Sequence, residues 1–203
     1  MKQDREYRSM ELRVLQLEGV ENPSYMVEGY ASTFEPYKLL TVDGVDYFER
    51  IEPTAFDNAD LSDVVFRVDH EGRVYARSSA GSVEIWHDDK GLGQRTDLGR
   101  TQMARDLFAD IEVGNYPQMS FAFVVADDGD YFDMATNTRV ITKIDKVFDV
   151  SPVSFPANPN TSLSVSTRDY FNGVIEMKRA ERLEREKRET QKQKIRILSE
   201  VSI

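Results

Sequence analysis

The sequence predicts a mainly β (α+β) fold, a small closed or nearly closed β-barrel with a few surrounding helices, plus a charged C-terminal helical tail. Three observations predict it. Short apolar or alternating runs, each bounded by turn residues, recur throughout the first 165 positions. One segment, Thr101 to Val113, switches to a helical period. From Glu176 onward there is no Gly and no Pro, and strong helix formers dominate. Residues 1–165 are therefore assigned to the barrel domain and 166–203 to the tail.

The elements follow in order. Met10–Glu18 and Tyr25–Thr33 alternate as strands around a turn at Asn22-Pro23, and Asp43-Gly44 marks a second turn. Phe48–Ile51 reads as a short strand, after which Thr54 is expected to cap a brief helix through Asn58. Val64–Val68 is a compact, mostly apolar strand that runs into His70. Val74–Ala76, Val83–Trp86 and Leu92–Thr96 follow, with turns at Ser79/Gly81 and Asp88–Gly91. Ala104, Leu107, Phe108 and Ile111 fall on one helical face, and Gly114 is placed to stop that helix. Gln118–Ala126 and Val140–Phe148 pair as a hairpin around a polar loop at Asp127–Asp133. Val153–Phe155 leads into Pro156-Ala157-Asn158-Pro159, which cannot continue a strand. The sum is about nine strands and one or two helices.

Composition excludes several chemistries. There is no Cys, which removes thiol catalysis, disulfides and Cys-ligated metal sites, and two His make a three-His site impossible. A formal charge of −10 argues against a broad basic nucleic-acid surface, and no apolar run approaches a membrane helix. The start, MKQDREYRSMELRV, lacks the apolar core of an export signal. The charge is uneven: nine Lys/Arg and six Glu give residues 176–203 a balance of +3, against −13 for residues 1–175. Glu181–Arg185 and Glu184–Arg188 lie at helical pairing distance, yet no apolar residue stands between Leu183 and Ile195, so a heptad seam is absent. The tail reads first as a solvated helix, then as a docking or oligomerisation arm, and last as a nucleic-acid arm.

With two imidazoles, the search for a base is short. His70, in FRVDHEG, ends an apolar strand where a rigid rim would present it, while His87, in EIWHDDKGL, precedes a turn with two carboxylates. Ser120, in QMSFAF, puts a hydroxyl among apolar neighbours, which is costly unless the hydroxyl is paired or used. Asp149, in KVFDVSPVSF, ends another apolar strand, where an acid can orient an imidazole or cap a turn. Asp69–Glu71 and His87–Asp89 do not have a metal-ligand spacing. No cofactor motif is present, so neither a cofactor nor a metal is expected.

The ordered landmarks VEGYASTFE, FERIEPTAFDNADL, VVFRVDHEG, EIWHDDKGL, VGNYPQMSFAF and FDVSPVSFPANPNTSL carry a resemblance. The chain resembles the prohead (capsid-maturation) serine proteases of tailed bacteriophages, fold relatives of the herpesvirus assemblin proteases. The resemblance implies a serine endopeptidase with Ser120 as nucleophile, His70 as general base and Asp149 as third triad member. Relatives usually carry Glu at that last position, so Asp is a departure, and Asp145, Asp69 and Glu71 are alternates. His87 precedes Ser120 and does not match the second His of assemblins. Their paired oxyanion arginines have no counterpart in 150–166, which leaves backbone N–H groups as the expected donors. The implied substrates are the scaffolding protein or the scaffolding segment of the major capsid protein, with self-cleavage, inside the procapsid in the host cytoplasm. Self-association is expected, without a membrane or a specific nucleic acid. A non-catalytic, protease-like scaffold or capsid-binding protein is the alternative, and an unrelated ligand-binding barrel stands behind it.

Overall fold

Residues 6–14, 25–154 and 165–201 are described by the computed structural model of the chain. They fall into two compact units that meet at position 164/165. The first unit carries twelve strands: β1 (Glu6–Val14), β2 (Met26–Thr33), β3 (Tyr37–Val42), β4 (Val45–Ile51), β5 (Val65–Arg67) and β6 (Val74–Arg77), then β7 (Val83–His87), β8 (Gly91–Asp97), β9 (Gln118–Val125), β10 (Asp130–Asp133), β11 (Thr138–Ile141) and β12 (Ile144–Val153). Helix α1 (Gln102–Glu112) lies between β8 and β9, and α2 (Val165–Val201) forms the second unit.

Hydrogen bonding orders eight strands as β6-β5-β12-β9-β1-β2-β8-β7 and four as β10-β11-β4-β3. The larger set is two sheets that share β1, whose Glu6–Glu11 pair with β9 and whose Leu12–Val14 pair with β2. The expected barrel is not formed, because none of the sheets closes. The edge strands β6 and β7 are consecutive in the chain, joined by a 3-10 turn at Ser78–Ala80 and by Gly81 at φ 67°. That connection bonds Ser82 N–H to Arg77 O without starting a ladder between the two strands. Counting strands cannot reveal this, since closure depends on which edges pair.

Several predicted elements need correction. The 3-10 turn Pro53–Phe56 has Glu52 at its N-cap and no side-chain cap bond, so Thr54 does not cap it. β9 pairs antiparallel with β12, and the polar stretch between them folds into its own hairpin, β10–β11. β3 was not anticipated. Leu15–Glu18, Asn22-Pro23 and positions 155–159 lie outside the described residues.

Helix α1 starts as its sequence requires: Thr101 Oγ1 accepts from the Ala104 N–H at 3.2 Å. It ends at Gly114, whose φ of 85° suits glycine. Its buried stripe Ala104, Leu107, Phe108 and Ile111 joins Phe66, Phe121 and Val150 in the core, and Tyr25 meets Phe108 edge-on at 5.4 Å. A buried charge cluster ties the smaller sheet to β1. Arg139 on β11 reaches Glu6 at 2.6 and 2.9 Å and Glu49 at 3.0 Å, and also pairs with Asp130. Burial opposes the Arg139 charge, but Glu49, Glu6 and Asp130 hold its pKa well above the usual guanidinium value.

Helix α2 is amphiphilic only at its start; from Glu181 to Ile195 every residue is exposed. Its surface pairs Arg179 with Glu176 at 2.8 Å, Lys187 with Glu184 at 3.3 Å and Arg182 with Glu186 at 3.8 Å. Such exposed pairs support the helix weakly, by a few tenths of a kcal/mol each (about 0.3–0.5). Among the described residues no helix is long and apolar enough to cross a membrane.

Candidate active site

The site is built on three neighbouring strands, β5, β12 and β9. β12 runs parallel to β5 and antiparallel to β9. Phe66, Val150, Met119, Phe121 and Phe123 enter the core, and the Phe121 and Phe123 rings stack at 4.6 Å. Strand alternation sends the intervening residues to the opposite face. These are Arg67 on β5, Asp149 and Ser151 on β12, and Ser120 and Ala122 on β9.

A β-bulge sets that phase. Val147 pairs with Phe123, but the next partners are Asp149 and Ala122, so Phe148 is the extra residue. Without the bulge Val147, Asp149 and Ser151 would share one face. With it, Val147 and Val150 are both in the core, and Asp149 and Ser151 turn away from it. Ser151 then lies directly opposite Ser120.

His70 arrives on the turn after β5. Asp69 and His70 both have positive φ, 49° and 61°, and Gly72 follows at 68°. Two consecutive non-glycine residues in this region cost of order 1–3 kcal/mol each. The turn is held by Glu71 N–H to Val68 O at 3.0 Å and clamped to β12 by Asp69 N–H to Pro152 O at 3.1 Å. The Asp69 carboxylate closes the clamp, accepting from Ser154 N–H at 2.8 Å and Ser154 Oγ–H at 2.7 Å.

Held this way, His70 Nδ1 lies 2.6 Å from Asp149 Oδ1. Ser151 Oγ–H donates to the same oxygen at 2.7 Å, and Arg67 Nη2 donates to Oδ2 at 3.3 Å. Asp149 is fully buried. Burial, the largest influence, favours its neutral form, but hydrogen bonds from His70 and Ser151 and attraction to His70 and Arg67 outweigh it, holding the carboxyl below its ordinary value. An ionised Asp149 only accepts, so His70 donates from Nδ1, and in the neutral ring the lone pair is then on Nε2.

Ser120 is 1% exposed, and its Oγ has no hydrogen-bond partner among the described residues. A buried hydroxyl in that state is uncommon and costs desolvation. The structure thus brings His70 and Asp149 into contact and sets Ser120 across the ladder from Ser151, which bonds Asp149, with no His70–Ser120 hydrogen bond formed. The alternate acids are placed otherwise: Asp69 is engaged by Ser154, while Asp145 and Glu71 are exposed. His87 is exposed at the end of β7, its ring 6.3 Å from Phe56. Among the described residues no group of His, Asp or Glu is arranged to hold a metal ion.

Sequence reasoning missed Arg67 and Ser151. A signal for Arg67 was present, since it is the one charge inside the apolar run VVFR ahead of His70. Ser151 carries no comparable signal, because its face is decided by the bulge.

Residues 10–174 match the family model of the caudovirus prohead serine proteases. Among solved structures, the bacteriophage T4 capsid assembly protease, gp21, is similar at 12% identity and a TM-score of 0.47, over 77% of this chain and 100% of that one. No curated protein matches the chain. The family match spans most of the sequence, and the chain belongs to the caudovirus prohead serine protease family.

Proposed function

We propose that this member of the prohead serine protease family is a capsid-maturation endopeptidase acting through Ser120, His70 and Asp149. Ser120 Oγ attacks the scissile carbonyl carbon while His70 Nε2 takes the hydroxyl proton. The tetrahedral intermediate collapses as the imidazolium gives that proton to the leaving amine. Water, deprotonated by the same nitrogen, then hydrolyses the acyl-enzyme and restores Ser120. Asp149 holds the ring's tautomer and orientation throughout.

The observation that carries this reading is the contact of buried Asp149 with His70 at 2.6 Å, together with the unsatisfied buried hydroxyl of Ser120 opposite Ser151, which bonds the same carboxylate. A buried hydroxyl without a partner is a cost that a nucleophile repays when substrate binds. The substrates are the scaffolding protein or the scaffolding segment of the major capsid protein, and the chain itself, cleaved inside the procapsid in the host cytoplasm by a self-associating enzyme. Co-expression of Ser120→Ala with the capsid proteins is the test. It leaves all of these chains uncut while folding is retained; cleavage at the parent rate overturns the assignment.

Residues 166–203 serve as the recruiting arm of the catalytic domain, 1–165. The support is the solvent-exposed helical stretch Glu181–Ile195 and the net basic composition beyond Glu176, in a chain whose remainder is acidic. Removal of Glu176–Ile203 is expected to empty proheads of protease and to preserve peptide cleavage; normal incorporation contradicts the role.

A further inference from the structure

We propose that Arg67 is a positioning residue that keeps Asp149 ionised while His70 is neutral. The proposal rests on the triad reading above and concerns how that triad is held ready.

The groups facing Asp149 are few. His70 comes from the turn after β5, Arg67 from β5 and Ser151 from β12 itself. The residues in register on either side, Val65 and Ala122, carry no charge. A base that is about to accept the Ser120 proton must be neutral, so in that state His70 offers Asp149 a hydrogen bond and no net charge. Ser151 likewise offers a neutral hydroxyl. Arg67, charged at any working pH, is the remaining cation, 3.3 Å from Oδ2. Without that countercharge, burial raises the affinity of the pair for a proton, taken up on Asp149 or on the imidazole beside it. Either event stops His70 from acting as a base, and for so close a pair the two are one macroscopic protonation.

Two details fit this role. The Arg67 side chain is 21% exposed, so solvent screens the pair only in part. Its Nε is buried and meets no acceptor among the described residues, so the polar contact of the guanidinium is directed at Asp149. The strand that delivers the base therefore delivers the countercharge, three residues earlier.

The experiment measures the rate at which a fluorophosphonate modifies Ser120 as a function of pH, in the full chain and in Arg67→Gln and Arg67→Lys. Gln keeps a donor but removes the charge, and its acid limb is expected to move up by about one pH unit. Lys keeps the charge and returns the limb to the parent position. A merely structural role lowers the rate at every pH and leaves the limb in place, and that result overturns the proposal. Should the Gln variant fail to fold by circular dichroism, Arg67→Met carries the same expectation without a polar head to bury. Modification of Ser120 in the parent with an unmoved limb refutes Arg67 alone. A parent that is never modified at Ser120 removes the triad reading and this proposal together.

Discussion

Ser120 and Ser151 face each other directly across the β9–β12 ladder, both are buried, and only Ser151 has its hydroxyl satisfied. Two identical side chains on one face thus stand in opposite energetic positions. Ser151 spends its proton on Asp149, and Ser120 Oγ has no bond to give up when a substrate carbonyl arrives.

The contrast predicts opposite stability effects. Ser120→Ala removes an unsatisfied hydroxyl and is expected to raise stability by about 1 kcal/mol, or roughly 2–4 °C in Tm, while abolishing cleavage. Ser151→Ala removes a hydrogen bond to a charged acceptor and is expected to cost about 1.5–3 kcal/mol. Thermal unfolding of the two variants side by side reads the difference; a Tm loss in both contradicts it.

Asp149 predicts a pH-dependent stability. Its folded pKa lies below the ordinary carboxylate value, so its contribution is fully present above the unfolded value of about 3.9 and is lost as pH falls through the folded one. The stability gap between the parent and Asp149→Asn is therefore expected to narrow below about pH 4. Urea unfolding at neutral and acid pH measures it. The same substitution permits the wrong imidazole tautomer and is expected to lower kcat by roughly 10³-fold or more. Activity within about tenfold of the parent, 1.4 kcal/mol, assigns the orienting role elsewhere.

The turn that presents His70 depends on Asp69. Asp69→Ala removes both bonds to Ser154 and keeps the positive φ at His70, so the strained turn retains its backbone bond to Pro152 but loses its side-chain clamp. Kcat is expected to fall about 10-fold or more through misplacement of the imidazole, with a stability loss of about 1–3 kcal/mol. Unchanged kcat with lowered stability separates a purely structural clamp from one that positions the base.

Arg139 holds Glu6 and Glu49 in the interior and half-buried Asp130 beside them. Arg139→Met removes their shared cation and is expected to destabilise the fold by about 3–5 kcal/mol. Chemical denaturation of this variant tests the estimate, and a change below about 1 kcal/mol shows the cluster to be solvated.

Much of the secondary structure was legible because it is local. Helix α1 announced itself through Ala104, Leu107, Phe108 and Ile111, through Thr101 at its start and Gly114 at its end. β3 and the β10–β11 hairpin were missed, since β3 (YKLLTV) lacks a clean alternation, β10 lies in a polar stretch that reads as a loop, and all three strands are fixed by pairing within the separate four-stranded sheet. The barrel failed for a different reason: β6 and β7 follow each other in the chain, yet the connection through Ser78–Gly81 starts no ladder between them, and no strand records in its own residues which edges stay unpaired. At the site, 79 residues separate His70 from Asp149, and only the resemblance linked them before the structure placed one against the other. The bulge at Phe148 is the sharpest limit. A strict two-residue alternation puts Asp149 on the face of Val147, whereas the folded strand puts it opposite Ala122.

Ser120 is proposed above as a nucleophile activated by His70. Mass-spectrometric mapping of the adduct formed by a serine-directed fluorophosphonate with the full chain tests that claim most directly. A single adduct on Ser120, lost in His70→Ala, is the predicted result. An adduct on Ser151 or another serine, or cleavage of capsid protein by a chain that takes up no label, contradicts it.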